Sequence, residues 1–217
     1  MDKPVALVLG GTGLVGGLLV RRLLEEGRYR KVMLPVRRPV SGFNDPALDV
    51  RVLDFDRMGE RRDAFEADHV FIALGTTMNK AGSKEAFYKV DYGYALEAAR
   101  LCRENGAQKL VVISAGGAGK KSLIFYSRVK GELEEALSQL GYPSLAILRP
   151  SLILGDREED RPGEEMAKSL SQRLSFLIPK RYKAIQAETI ARAMAALASR
   201  DLPGMTIYEN EQIESFS

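Results

Sequence analysis

Apolar residues in this chain fall into short unbroken runs, and between the runs they recur at helical spacing. The runs are Val5-Ala6-Leu7-Val8-Leu9, Val32-Met33-Leu34-Pro35-Val36, Val70-Phe71-Ile72-Ala73-Leu74 and Leu110-Val111-Val112-Ile113. A run of this length without polar alternation suits a strand covered on both faces, as in a parallel sheet between two helical layers. Across the segment from Ser122 to Leu140, Val129, Leu133, Ala136, Leu137 and Leu140 sit one helical face apart, and Gly141 stands where a C-terminal cap belongs. A second helix is predicted from Val90 to Asn105, and Ile190, Met194 and Leu197 mark one face of a late helix that covers the core. Strands alternate with helices from residue 4 to about residue 149, which predicts an α/β, Rossmann-type, doubly wound parallel sheet with helices on both faces. The 217 residues suffice for one well-buried domain and little more. One dinucleotide-binding domain over 1–217 is therefore expected, with 150–182 and the C-terminal segments forming a small substrate lobe or lid.

The first run leads straight into Gly10-Gly11-Thr12-Gly13-Leu14-Val15-Gly16, and an amphipathic stretch follows at once. Gly11, Gly13 and Gly16 fit G-x-G-x-x-G, whereas Gly10, Gly13 and Gly16 fit G-x-x-G-x-x-G. Either way, glycines allow a tight turn and close approach to a pyrophosphate, and the helix that begins there offers free N–H groups to an anion. Thr12, Leu14 and Val15 join the glycines as expected cofactor contacts. In NAD-binding folds an acidic residue ends the second strand and takes the ribose hydroxyls. Here the strand Lys31–Val36 runs into Arg37-Arg38-Pro39 instead. A guanidinium grips a 2′-phosphate through charge-assisted hydrogen bonds where a carboxylate would repel it, so Arg37 and Arg38 predict NADP(H).

A second chemical signal lies at the end of the run 110–113. Ser114 closes that strand, and Tyr126-Ser127-Arg128-Val129-Lys130 follows on the next helix. Tyr126 and Lys130 are i and i+4, hence on one helical face. A free tyrosine titrates near pH ~10, and a neighbouring ammonium favours the phenolate. Ser114 is positioned to hydrogen-bond the same substrate oxygen.

With these pieces in place, the chain resembles the short-chain dehydrogenase/reductase superfamily over nearly its whole length. The residues that carry the resemblance are Gly10 to Gly16, Ala73-Leu74-Gly75-Thr76-Thr77, Ser114, Tyr126 with Lys130, and Leu148-Arg149-Pro150. The likeness is to the atypical, epimerase-like branch, and within it to the Tat-interacting-protein-like oxidoreductases, through Lys80-Ala81-Gly82, Val90-Asp91, Val129-Lys130-Gly131-Glu132, Asp156-Arg157 and Arg161-Pro162-Gly163-Glu164. The resemblance implies a catalytic set of Ser114, Tyr126 and Lys130. It also implies cofactor contacts from Leu74, Gly75, Thr76, Tyr126, Lys130 and Pro150, with Asp54 and Phe55 near the adenine. Many extended members carry Val-Asn where this chain has Val90-Asp91, so whatever that Asn contributes is in question here.

Charge and composition narrow the picture further. A net charge of +3, with basic residues scattered among acids, gives no basic stripe for nucleic acid. His69 is the single histidine and opens an apolar run with no ligand cluster, so no metal site is expected. Cys102 has no partner for an internal disulfide and is expected to pack as a small apolar residue. Apolar runs stop short of the roughly 18–20 residues that span a bilayer. Met1-Asp2-Lys3 leads directly into a strand, so neither a membrane span nor a signal peptide is expected and a cytoplasmic setting is. Lys80 and Lys120-Lys121 read as solvent-facing, and the charged run Asp156 to Arg161 as a solvated loop or a lid. The function these signals favour is an NADP(H)-dependent oxidoreductase acting on a small carbonyl or alcohol of unknown identity. The alternative is an NADPH-binding regulatory or sensor module without turnover. An epimerase ranks below both, because the short C-terminal region leaves little room for a nucleotide-sugar. A homodimer or a regulatory protein partner is compatible with either leading reading.

Overall fold

The computed structural model describes residues 2–40, 42, 45–155 and 183–217, and the expected lid run Asp156 to Arg161 lies outside them. The strands β1 (Val5–Leu9), β2 (Lys31–Val36), β3 (Leu48–Val52), β4 (His69–Ile72), β5 (Lys109–Ile113), β6 (Ser144–Arg149) and β9 (Gly204–Glu209) form one sheet in the order β3-β2-β1-β4-β5-β6-β9. Every pairing in it is parallel; Leu7, for example, lies beside Met33 on one side and Val70 on the other. The chain winds outward from β1 to β3, returns to the middle at β4, and then winds the other way. The order thus reverses between β1 and β4, and in such sheets the crevice beyond that switch point is where ligands bind.

Both faces of the sheet are buried, and successive residues of each inner strand supply opposite cores. Leu7, Leu9, Val70, Ile72, Leu110, Val112 and Ile147 face the layer built from α4 (Ala95–Glu104), α5 (Phe125–Ser138) and the irregular 3₁₀ stretch Phe55–Phe65. Ala6, Val8, Phe71, Val111, Ala146 and Leu148 face α1 (Leu14–Glu25) and α6 (Ala187–Ser199). Ile190, Met194 and Leu197 are buried on α6 as its periodicity predicts, and Cys102 is buried on α4, where burial pushes its thiol up. Arg22 of α1 reaches Glu188 of α6 at 2.7 Å and pins that layer from outside.

Three features depart from the sequence reading. The helix expected from Val90 begins as a π-turn, Lys89–Tyr94, before α4 takes over. It follows two short helices, α2 (Met78–Ala81) and α3 (Lys84–Tyr88), capped by the side chains of Thr77 and Ser83. Strand β9 is an unforeseen edge strand, since Gly204-Met205-Thr206-Ile207-Tyr208-Glu209 mixes exposed and half-buried positions. A small ladder, β7 (Ile153–Leu154) against β8 (Ile185–Gln186), holds the flanks of 156–182 side by side beyond β6. The last helix, α7 (Asn210–Glu214), supports this ladder: Asn210 accepts from Ser151 N–H at 2.8 Å and donates to the Lys183 carbonyl at 2.9 Å.

Among the described residues no helix is long and apolar enough to cross a membrane, and no group of three His, Cys, Asp or Glu side chains lies together as a metal site. His69 has a structural partner: its Nδ1 lies 2.9 Å from the Tyr29 hydroxyl, in an edge-on ring contact. Burial, reinforced by the Lys109 ammonium, lowers the imidazole to about 4. A histidine with a lowered folded-state pKa is neutral in the native protein and protonates first in the unfolded chain. Its contribution to stability is therefore complete above about pH 6.5 and drains away as pH falls toward 4. Urea unfolding of wild type and His69→Gln between pH 7 and pH 4.5 should show the wild type losing more stability than the variant. Parallel losses would remove His69 from the acid response.

Candidate active site

The glycine turn is fixed by backbone packing on three sides. Gly10 has φ +87°, and a Cβ there would fall 2.6 Å from Leu74 N and 2.7 Å from Ala73 C, inside the chain that leaves β4. Gly16 presses against the Gly10 carbonyl so closely that a Cβ would overlap it. Gly11 is buried beneath Leu34 and Val20. Gly13 differs: it is the N-cap of α1 in an extended conformation, and a Cβ would meet only Gly10 O, at 3.3 Å. The space outside Gly13 is open, and no side chain caps α1 and no acid lies in its first turn. Its free N–H groups and positive dipole end therefore face the crevice ready for an anion. Both glycine readings are needed: Gly10 makes the turn, Gly11 fits beneath the sheet's helical cover, and Gly16 seats the helix.

Arg37 and Arg38 leave β2 exposed on the same side of the sheet, and among the described residues neither has a hydrogen bond or an ion pair. After β3 the neighbouring Asp54 and Phe55 divide. Asp54 is exposed and caps the 3₁₀ stretch through Asp56 N–H at 2.9 Å. Phe55 turns into the core and meets Tyr94 edge-on at 5.5 Å. The Phe55 ring is thus not offered to an adenine, and the surface at this point is the Asp54 side chain and backbone.

Leu74, Gly75 and Thr76 leave β4 across the crevice from the glycine turn. Directly beneath Gly75 lies a buried ion pair. Asp91 Oδ1 is 2.7 Å from Lys130 Nζ, and both side chains are almost wholly enclosed. A Cβ on Gly75 would come 3.5 Å from Asp91 Oδ1 and 3.8 Å from Lys130 Nζ. The second Asp91 oxygen accepts from Thr76 N–H at 2.8 Å. Oδ1 has no directed hydrogen bond besides this ionic contact. Asp91 sits in the π-turn, and π-turns frequently occur at functional sites. The sequence marked Asp91 only as a departure from Asn; its contact with Lys130 required the fold.

Tyr126, one turn before Lys130, is 39% exposed at the start of α5. The buried Phe87 ring, 5.7 Å from the Tyr126 ring, supports it from α3. Nearby tyrosines have other partners. Burial, aided by Glu132 and by the stacked Tyr92 ring at 4.7 Å, pushes Tyr88 up to about 12. Tyr94 donates to Asp56 at 2.6 Å.

Ser114 is at the end of β5, as expected, but its hydroxyl is engaged. The buried Oγ–H donates to Glu134 Oε1. Glu134 in turn takes Arg149 at 2.6 Å and 3.0 Å, and Arg149 reaches Glu209 at 3.0 Å. Hydrogen bonding to Glu134 raises Arg149 above its ordinary value, so this chain of charges is fixed. Pro150 is buried, and its carbonyl holds Gly116 N–H at 2.8 Å, setting the path of the loop after Ser114. That loop then packs on α5 at Gly131, where a Cβ would run into Gly119 and Lys120 backbone. Lys120 is exposed, as expected, and pairs at the surface with Glu135.

Comparisons with known proteins agree with this fold. Residues 6–126 match the profile of a family described as NAD dependent epimerase/dehydratase. Protein HTATIP2 of Rattus norvegicus is 34% identical over 98% of this chain and 89% of its own length. The mitochondrial protein FMP52 of Debaryomyces hansenii is 33% identical over 91% of this chain and 88% of its own. Among solved structures, the Thermus thermophilus UDP-glucose 4-epimerase in complex with NAD superposes with a TM-score of 0.71 at 18% identity, covering 96% of this chain and 80% of that one. At that identity the likeness is one of fold.

Gly16 and Gly131 are held against backbone on both sides of the sheet. Gly16→Ala and Gly131→Ala each force a methyl into backbone that cannot move aside, and should cost about 1–3 kcal/mol despite the better helix propensity of alanine. Thermal melts of the two variants check this, and unchanged or raised melting temperatures would show that the backbone yields.

Proposed function

The chain belongs to the NAD dependent epimerase/dehydratase family, and on that premise we propose that it is an NADP(H)-dependent oxidoreductase interconverting a small carbonyl compound and its alcohol. The observation that carries this reading is the half-exposed Tyr126 with Lys130 one turn behind it, beside the crevice flanked by the glycine turn and Gly75. The glycine turn and the first turn of α1 suit the pyrophosphate, with Thr12, Leu14 and Val15 around it. Arg37 and Arg38, exposed and without protein partners among the described residues, suit a 2′-phosphate. When bound, the dihydronicotinamide supplies the hydride.

The protein's part is positioning and proton transfer. Tyr126 donates its phenolic proton to the substrate oxygen in the reducing direction and recovers one from solvent. Lys130 stabilises the phenolate left behind. Ser114 has given its hydroxyl hydrogen to Glu134, so toward the substrate its Oγ acts as an acceptor and steers an alcohol O–H. Proton donation to a carbonyl then rests on Tyr126. The same hydrogen bond favours a second reading, an NADPH-binding regulatory module without turnover, because one of the three expected catalytic groups is held by the protein itself.

Three measurements bear on this reading. One charge-assisted hydrogen bond is worth about 1.5–3 kcal/mol, so NADPH should bind roughly 10- to 100-fold more tightly than NADH. Arg37→Ala/Arg38→Ala should erase that preference, and equal binding by wild type would overturn the NADP(H) assignment. Gly13→Val should remain folded, since space outside Gly13 is open, yet lose NADPH binding in the same titration. Tyr126→Phe should retain NADPH and lose about 10²–10⁴-fold in turnover on carbonyl substrates found by screening with NADPH. Full activity in that variant rules out the proton-transfer role, and a wild type inert across aldehydes, ketones and quinones favours the regulatory reading.

A further inference from the structure

We propose that the free edge of β9 is a self-pairing surface: a second copy of this chain docks on it antiparallel, about a two-fold axis at Thr206, and joins the two sheets into one. The inference is independent of the oxidoreductase reading. β9 ends the sheet, with β6 on one side and no strand on the other. Gly204 N–H donates to the Pro143 carbonyl, just before β6, at 2.8 Å, and the register runs unbroken from Ser144 beside Gly204 to Arg149 beside Glu209. In such a ladder alternate residues face the neighbouring strand. Gly204, Thr206 and Tyr208 therefore bond toward β6, and the N–H and C=O groups of Met205 and Ile207 point outward. Among the described residues these outward groups have no partner. Open edges invite pairing and are usually guarded by charge, proline or a bulge. The opposite edge, β3, is guarded by Asp49 and Arg51, paired along it at 2.9 Å. β9 carries no charged side chain from Gly204 to Tyr208, and its Met205 is 51% exposed.

The outward groups select the register. In an antiparallel pair, facing residues at a hydrogen-bonded site exchange both bonds. With the axis at Thr206, Met205 of each copy faces Ile207 of the other, so two facing pairs use every outward group of these residues. The ladder then ends by itself. The next outward position, Pro203, has no N–H, and the Glu209 N–H it would face already donates to Gln212 Oε1 at 2.9 Å. An axis at Ile207 would instead set Met205 against Glu209, whose N–H is taken. The side chains fit the same register. On the α5 face Met205 meets Ile207 of the other copy, beside a cavity of about 230 Å³ that Met205 and Ile207 line together with Gly131 and Ser138. On the α6 face Tyr208 lies opposite Gly204 of the other copy, and an aromatic ring beside an edge glycine stabilises such a pair.

Charge complementarity selects the direction and the occupant. The chain approaches β9 past Arg200, whose carbonyl accepts from Lys109 Nζ at 2.8 Å, and leaves it into α7 with Glu211 and Glu214. Asp201 offsets only part of the basic charge at the approach. An antiparallel mate brings the basic approach of each copy to the acidic exit of the other, whereas a parallel mate sets like charge beside like. Because the same patch serves both copies, the assembly closes as a dimer. The crevice between β1 and β4 lies beyond β6 and β5 from this edge and stays open in both copies.

Sedimentation velocity of the full-length protein across a concentration series should show a monomer–dimer equilibrium. Met205→Pro spares the ladder to β6, because that N–H points outward, but removes one donor from each copy. Its dissociation constant should rise roughly 10- to 100-fold. Thr206→Cys reads the register. Facing residues at a non-hydrogen-bonded antiparallel site have Cα atoms about 4.5 Å apart, within disulfide reach, so mild oxidation should give a covalent dimer. Met205→Cys presents a more exposed thiol that faces Ile207 rather than its own copy, and should cross-link far less. Cys102 is buried and does not compete. If Met205→Pro fails to fold, the two cysteine variants decide the matter. A wild type that stays monomeric at the highest soluble concentration leaves the edge to an extended segment of another protein and overturns the proposal. A dimer that folded Met205→Pro leaves intact, or equal cross-linking at 205 and 206, overturns it as well.

Discussion

Where β1, β4 and α1 converge, backbone meets backbone without intervening side chains, and the rest of the site is built on that contact. Gly10 lies against Ala73 and Leu74, and Gly16 lies against Gly10. The first contact sets the width of the crevice at the point where the strand order reverses. The second aims the start of α1 into it, with its N–H groups uncapped. A side chain at either position separates the two halves of the sheet from the helix that serves both. Because the contact is made of main chain, it has few ways to relax, and packed interiors transmit such strain rather than absorb it.

Helix α5 carries two polar networks on successive turns of one face. One turn after Tyr126, Lys130 meets Asp91, and through it Thr76. A turn further on, Glu134 joins Ser114 to Arg149 and Glu209. Tyr126 is exposed between the crevice and solvent at the helix's first turn. The helix is therefore held at three depths: by the loop packed on Gly131, by the Asp91 pair, and by the Glu134 chain. Each hold fixes rotation about the helix axis, and rotation determines where Tyr126 and Lys130 point. Precise placement of this kind is what the proposed proton transfer requires.

Much of the architecture was legible in the sequence because it rests on local signals. Continuous apolar runs marked β1, β2, β4 and β5, and the glycine turn marked the start of α1 within the same stretch of chain. The i and i+4 spacing of Tyr126 and Lys130 placed both on one face. What stayed hidden depends on partners far apart in sequence. The role of Phe55 turned on Tyr94, and the hydroxyl of Ser114 was captured by Glu134 on the following helix. Strand β9 carries no continuous apolar run, since as an edge strand it needs none, and it is positioned by pairing with β6. The π-turn at Lys89–Tyr94 follows from no local signal in the chain; its burial of Asp91 opposite Lys130 is visible only once α5 is docked.

The two networks also divide the electrostatic work. In the Glu134 chain a guanidinium is shared between two carboxylates, so its charge is spent within the protein and the Ser114 hydroxyl is oriented as a by-product. In the Asp91 pair a single ammonium faces a single carboxylate, and the pair as a whole carries no net charge into the crevice. The first turn of α1 and the exposed guanidinium groups of Arg37 and Arg38 lie on the other side of the crevice, at the ends of β1 and β2. One wall is thus held nearly neutral by internal pairing while the other keeps unpaired positive charge, so an anion entering the crevice is drawn to the α1 side rather than to α5.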